Sequence, residues 1–397
     1  MKVIFSCIKS NVKEQRIVTG IFVSFFFMNK TSNKITSDLS VSIHKGPSKN
    51  ILKLLESTTL GTPGKLRYKQ TEVEKNTSLL KNLEFIQIKK RDRVLGTAGI
   101  IKRKISFKDQ TIDSLYVRYL SVYNPIKRTK TKRTPSTVSP FKTGSLRNQI
   151  TSIFSDELEK SFIEHDKEGI FYAYVESDNI HSKNLCLSFG FKKARSVFTV
   201  LFSRLFPKQQ TNVFELKKDE LGLFKENVAS YYSDHNSVFT DHIEDHGTCY
   251  VFKENDTIIA GIRAIPINWK IVEMPGFKGF LIQKILPKLP VLNKIFNPEH
   301  LRFLAFDSMW EKNEFQPIIN ILMEHACAKT KINMGMIWGD SESKLINSLL
   351  TSGKLGFLHK INGTVGAELL VRSINMKTED KTQLSKKPTF ISAVDMT

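Results

Sequence analysis

Cysteine is scarce in this chain: Cys7, Cys186, Cys249 and Cys327 stand far apart and form no CxxC pair. That spacing excludes a disulfide scaffold and a zinc ribbon, and it suits a reducing compartment. A long apolar run is also missing. Ile17–Met28 (IVTGIFVSFFFM) has 12 residues, short of the about 20 that a spanning helix needs. With 20 Gly and 13 Pro in 397 residues, collagen-like and low-complexity readings fail. The first half lacks acid most of all. Residues 1–210 hold 38 Lys+Arg against 17 Asp+Glu, whereas residues 211–397 hold 22 of each, so the net charge of +21 belongs to the first half. That half is expected to attract an anion: nucleic acid, an anionic membrane surface, or a phosphorylated cofactor or substrate.

What is present fits two domains at about 150 residues each. Residues 1–40 read as an extension outside the fold. Their apolar run follows Lys9, Lys13 and Arg16 as a signal h-region would, yet no small-residue cleavage site follows Met28. Met1 and Met28 both remain open as the start. A cytoplasmic protein is expected, with membrane anchoring as the alternative.

Along residues 41–209 the pattern reads β-α-β-β-β-loop-α-β-α-β. Ser48 offers an N-cap to a helix carrying Ile51, Leu52, Leu54 and Leu55, and strands follow at Leu83–Lys89, Val94–Ile101 and Leu115–Val122. Residues 126–145 (IKRTKTKRTPSTVSPFKTGS) carry six basic side chains and no acid. A helix is expected over Leu146–Ile163, a strand over Gly169–Val175, a helix over Ile180–Phe189 and a strand over Arg195–Leu205. Residues 210–377 repeat much of that order, with a helical insertion at Phe277–Ile295 and strands expected from Gly356 and Val365. The Gly-Phe pair recurs at Gly190-Phe191 and Gly356-Phe357, which suggests a duplication. Residues 378–397 read as a polar linker and a last strand, Phe390–Val394.

Asn179–Phe191 (NIHSKNLCLSFGF) carries the functional signal. Asn179 opens a helix, Leu185 packs inward, and Gly190 supplies a left-handed stop before Phe191. With Ser182, these residues match the spacing Asn-x-x-Ala-x-x-Leu-Tyr-x-x-x-Gly-Phe, and the stretch resembles the helix signature of the GCN5-related N-acetyltransferase superfamily. Val117–Arg128 (VRYLSVYNPIKR) resembles the same family's fourth strand and the start of its pyrophosphate loop.

The resemblance implies an α/β fold of the α+β type: two tandem acyl-CoA N-acyltransferase-like units, each a twisted mixed sheet flanked by helices. It implies acetyl-CoA or another acyl-CoA as co-substrate and a small-molecule or peptide amine as acceptor. Leu120, Ser121 and Val122 would lie along pantetheine. Lys127 and Arg128 would stand where the loop's basic residue is expected, with Gly144, Ser145 and Asn179 at helix starts. An insertion of over a dozen residues separates Arg128 from Gly144, unlike the family's compact loop. Cys186 replaces the family's Tyr, a general acid for the leaving thiolate; a small apolar wall is its ordinary alternative. Glu176 is the base candidate and Tyr119 a further catalytic one. The second unit, with Asp307, Glu311 and Glu314 where a phosphate loop would be, reads as neutral and degenerate.

The rival reading is a catalytically inactive tandem protein that grips a polyanion or an anionic membrane surface through residues 126–145. No aromatic interleaving accompanies that loop, which argues against nucleic acid. His235, His242 and His246 sit among acids without HExxH spacing, so no metal is expected. Phe277–Ile295 is apolar and basic enough to touch a membrane surface or an acyl chain; burial between domains is the ordinary alternative.

Overall fold

The computed structural model describes residues 39–108, 110–122, 158–159, 167–289, 293, 295–312 and 318–397. Alternating apolar runs pair into one sheet that crosses the whole molecule. In the first half its strands are β1 (Leu39–Lys45), β3 (Leu83–Lys90), β4 (Arg93–Phe107), β5 (Gln110–Val122), β6 (Gly169–Glu176) and β7 (Lys192–Ser203). The second half adds β8 (Val213–Glu215), β9 (Thr248–Glu254), β10 (Thr257–Glu273), β11 (Leu301–Glu311), β12 (Met334–Asp340) and β13 (Val365–Ile374). The order is β1-β3-β4-β5-β6-β13-β7-β12-β11-β10-β9-β8, and β2 (Arg67–Gln70) pairs with β10 off this path.

Two pairings are parallel, β5 with β6 and β11 with β12; both are short. Asp113–Tyr116 run beside Gly169–Tyr172, and Leu304–Phe306 beside Gly335–Ile337. Beyond those residues each pair diverges. At the centre, β13 lies between β6 and β7, and β7 pairs in turn with β12. Each half is therefore completed by a strand of the other.

Helices cover the sheet where their sequences have an apolar side to bury. They are α1 (Lys49–Ser57), α2 (Val73–Ser78), α3 (Ile180–Ser188), α4 (Leu221–Tyr231), α5 (Gly276–Phe280), α6 (Ile318–Thr330), α7 (Lys344–Thr351), α8 (Phe357–Asn362), α9 (Thr378–Lys386) and α10 (Ala393–Met396). Ser48 caps α1 as its sequence indicates, its Oγ accepting from Ile51 N, and Ile51, Leu54 and Leu55 face inward. In α6 nearly every apolar side chain is buried, from Ile318 to Cys327.

Three expectations change. Residues 357–362 form α8 and not a strand: left-handed Gly356 (φ 93°) turns the chain, and Ser203 Oγ accepts from Leu358 N. The polar stretch 378–388 is largely the helix α9, which buries only Asp380 and Leu384. Phe390–Val394 is not a ladder strand. It leaves a single bridge, Asn236 to Thr389, and ends in α10. The short elements β2 and α2 had no counterpart in the sequence reading.

Candidate functional site

The divergence of β5 and β6 begins with a bulge. Register along β4 shifts between Thr97, opposite Ser121, and Gly99, opposite Arg118, so Tyr119 and Leu120 together face one residue, Ala98. Tyr119 is left-handed (φ 52°), which is costly for an aromatic residue inside a strand. Its ring lies over Gly99, where a Cβ would stand 3.0 Å from Cδ2. The bulge turns Arg118 and Tyr119 to one face and Leu120 to the other.

On the Leu120 face the divergence leaves an apolar cleft with about 80 Å³ of free space. Val117, Leu120 and Ser121 of β5 form one wall, Ala173 of β6 another, and Leu185 and Cys186 of α3, with its C-cap Phe189, close the side. Thr97, one of its few polar residues, spends its hydroxyl on Ile86 O (2.9 Å). Burial pushes the Cys186 thiol up to about 11. A thiol that weak remains protonated at neutral pH and donates poorly to a thiolate of ordinary basicity. Helix α3 packs loosely: none of its residues is fully buried, and Ile180 and Leu187 are more than half exposed.

The opposite face of the same strands is polar and crowded. Arg103 holds Asp395 with two hydrogen bonds (3.0 and 2.9 Å), and Tyr172 Oη donates to Asp395 Oδ2 (3.3 Å). Tyr116 Oη donates to Asp395 O. Arg118 donates to Val394 O (2.7 Å) and Thr397 O, with its guanidinium 4.0 Å from the Tyr119 ring centre. Burial raises Tyr116, Tyr119, Tyr172 and Tyr174, so these phenols hold their protons at neutral pH. A larger cavity of about 460 Å³ continues from this face. Its lining includes Arg103, Phe239, His242 and Val394, with Lys81, Lys102, Asp241 and Asp245 among its charged groups.

The expected site residues thus divide between two faces. Tyr119 packs with the polar face, and Glu176, at the open end of β6, accepts from Thr62 N (3.1 Å) and Thr62 Oγ1 (2.7 Å). Leu120, Ser121 and Cys186 line the apolar cleft. Val122 ends β5, opposite Gly96 of β4. Asn179 caps α3 through Oδ1 (3.1 Å from Ser182 N), and Leu185 is only half-buried. Lys127, Arg128, Gly144 and Ser145 lie outside the described residues, as does Glu314. Sequence reasoning missed Arg103, Arg118 and Asp395. Its available signals were a lone Arg inside the apolar strand VRYLSV and a lone acid in the last apolar run, ISAVDMT.

The β11–β12 divergence contrasts with this one. Register on β10 shifts between Gly261, opposite Trp310, and Arg263, opposite Asp307, so Ser308 (φ 49°) and Met309 face Ile262. Here the gap is filled. Ile346 of α7 lies against Gly339, where a Cβ would stand 2.2 Å from Cγ1, and only about 20 Å³ remains. Asp307 lies in no phosphate loop. It is buried, bound by Arg263 (2.7 and 2.5 Å) and by Ala393 N (2.7 Å). Burial alone would raise its pKa, but the Arg263 charge and the His242 contact hold the carboxyl well below the usual range. Among the described residues no group of His, Cys, Asp and Glu forms a metal cluster, and no helix is long and apolar enough to cross a membrane.

No protein-family model and no curated protein matches the chain. Solved structures do. Saccharomyces cerevisiae N-myristoyltransferase with bound myristoyl-CoA superposes at TM-score 0.54 with 12% identity, over 89% of this chain and 88% of that one. A second structure of the yeast enzyme with myristoyl-CoA gives 0.54 and 11%, over 92% and 89%. A third, with myristoyl-CoA and inhibitors, gives 0.54 and 12%, over 88% and 83%. At that identity the likeness is one of fold. The chain has the GCN5-related N-acetyltransferase-like α/β fold, in the large mixed-sheet form it shares with N-myristoyltransferase.

Proposed function

We propose that the chain is an acyl-CoA-dependent N-acyltransferase whose first half binds the thioester in the β5–β6 divergence. The observation that carries this reading is the open apolar cleft at Leu120, Ser121, Ala173 and Cys186 beside a strained bulge. The basic charge of the first half supports it, as does the myristoyl-CoA bound by the yeast enzyme of the same fold. Lys127, Arg128, Gly144 and Ser145 are the proposed phosphate contacts. Recurrence of the bulge and the parallel pair supports a duplicated origin for the two halves, with domains near 41–209 and 210–377.

The acceptor amine attacks the thioester carbonyl carbon, the C–S bond breaks, and CoA leaves as thiolate. The amine must first lose a proton, and Glu176, on the polar side of the gap, is the proposed base. Leu120 N–H, in the bulge, is offered to the developing oxyanion. Tyr119 stays protonated and shapes the gap through its stack with Arg118. Cys186 acts as cleft wall, and its weak acidity leaves protonation of the thiolate to solvent. The acceptor enters from the cavity edged by Phe239, Asp241 and Val394, on the polar side of the gap.

Acetyl transfer is the reading closest to the sequence resemblance. The apolar walls favour a longer acyl chain, since each buried methylene contributes about 0.8 kcal/mol. Thiol release from acyl-CoAs of graded length, with peptides bearing a free N-terminal amine as acceptors, tests both points. Turnover should rise with chain length and fall in Glu176→Gln. No thiol release with any thioester, alongside salt-sensitive polyanion binding, would favour the inactive binding protein.

A further inference from the structure

Single exposed apolar side chains are ordinary, but a stripe of them is not. After β10 the chain runs through α5, a π turn at Leu281–Ile285 and a 3-10 turn at Leu286–Lys288. Its described outward side chains are Phe280, Lys284, Ile285, Lys288 and Leu289. Phe280 is 54% exposed, Ile285 41% and Leu289 45%. Two lysines stand among them and no acid does. Glu299, close enough for Lys284 to lower its pKa, is itself paired with Lys270 (2.5 Å).

A water-facing helix side ordinarily mixes short polar groups and charges of both signs. Apolar tips interleaved with lysines instead match a lipid interface. The rings and branched chains enter the acyl boundary while the ammonium groups reach back to phosphates. We propose that residues 276–289 form a docking surface for an anionic membrane leaflet. Charge complementarity selects that partner: residues 276–289 carry three lysines and no acid, although the second half of the chain is neutral as a whole. Binding is read without turnover, so this inference stands or falls apart from the acyltransferase reading.

Co-sedimentation of the full chain with phosphatidylcholine vesicles, with and without phosphatidylserine, is the test. Binding should require phosphatidylserine and weaken with salt. It should drop at least about tenfold in Phe280→Ser/Ile285→Ser/Leu289→Ser and by a similar factor in Lys284→Glu/Lys288→Glu. These side chains are exposed, so both variants should melt with the parent protein. Unchanged binding in both variants would place the contact elsewhere and overturn the proposal, as would equal binding to neutral vesicles. Ile285→Trp supplies a gain of signal. Trp269, Trp310 and Trp338 are buried, so an emission blue shift on adding the anionic vesicles would report residue 285, and its absence would overturn the proposal.

Discussion

The two strand divergences in this molecule share a backbone and differ in what fills them. Both open where a parallel pair ends, and both carry a left-handed residue on the third-from-central strand of their half, Tyr119 or Ser308. Arg118 precedes the first bulge and Asp307 the second. Arg118 reaches the 394–397 backbone, whereas Asp307 is locked by Arg263 and Ala393 N. Counting from the helix caps Asn179 and Ser343, His181 and Ser182 stand where Leu345 and Ile346 stand in α7. The second helix has the apolar volume to plug its gap, and the first does not. The gap left open is the one in which the proposed acyl-CoA site lies.

The largest effects should come from the closed gap. Asp307→Ala strips the partner from a fully buried Arg263 and should cost about 3–5 kcal/mol in chemical denaturation. Ile346→Ala should cost about 2–5 kcal/mol, because packed neighbours cannot collapse into the hole. The analogous truncation in the open gap, Cys186→Ala, should cost under about 1 kcal/mol, since α3 is loosely packed. Equal losses at the two helices would break the comparison.

Filling the open gap reverses the experiment. Cys186→Phe should leave the melting temperature nearly unchanged and weaken acyl-CoA binding more than about tenfold, the equivalent of about two displaced methylenes. Asn179→Ala should cost about 1 kcal/mol through the lost cap and leave that binding largely intact, separating a helix-start role from a cofactor-binding one.

The last test is a pH profile. Burial, then the Arg263 charge, lowers His242 from 6.5 to about 3. The unfolded chain takes up a proton that the folded one refuses. Stability should therefore be full above about pH 6.5 and decline as pH falls toward 3. In His242→Gln the decline across that window should be shallower, as read by urea midpoints at several pH values. An unchanged slope would remove His242 from the account.

Much of the first half was legible from side-chain periodicity. The β3–β4–β5 meander, Gly169–Glu176 and the capped, Gly-ended α3 all follow from local pattern. The exchange of β13 was not. Its partners β6 and β7 lie more than 160 residues away, and an apolar strand of that kind suits any buried slot in a sheet. Phe390–Val394 misled for a related reason. A short apolar run records burial and not pairing, and here the burial comes from a segment clamped by Asp340 at Thr389 N and by Asp307 at Ala393 N. Of the cleft, the lining residues Leu120, Ser121 and Cys186 lie in the two stretches that the motifs singled out. The Arg103–Asp395 contact was not readable, because it spans nearly 300 residues and nothing in either neighbourhood announces the other.

Calorimetric titration of the full chain with myristoyl-CoA tests the central claim most directly, run in parallel on the parent, Cys186→Phe and Lys344→Ala. One mole should bind per mole of parent and of Lys344→Ala, which alters the closed-gap helix at an exposed position, while Cys186→Phe loses the binding. Binding that survives Cys186→Phe undiminished, or an absence of binding to the parent, would contradict it.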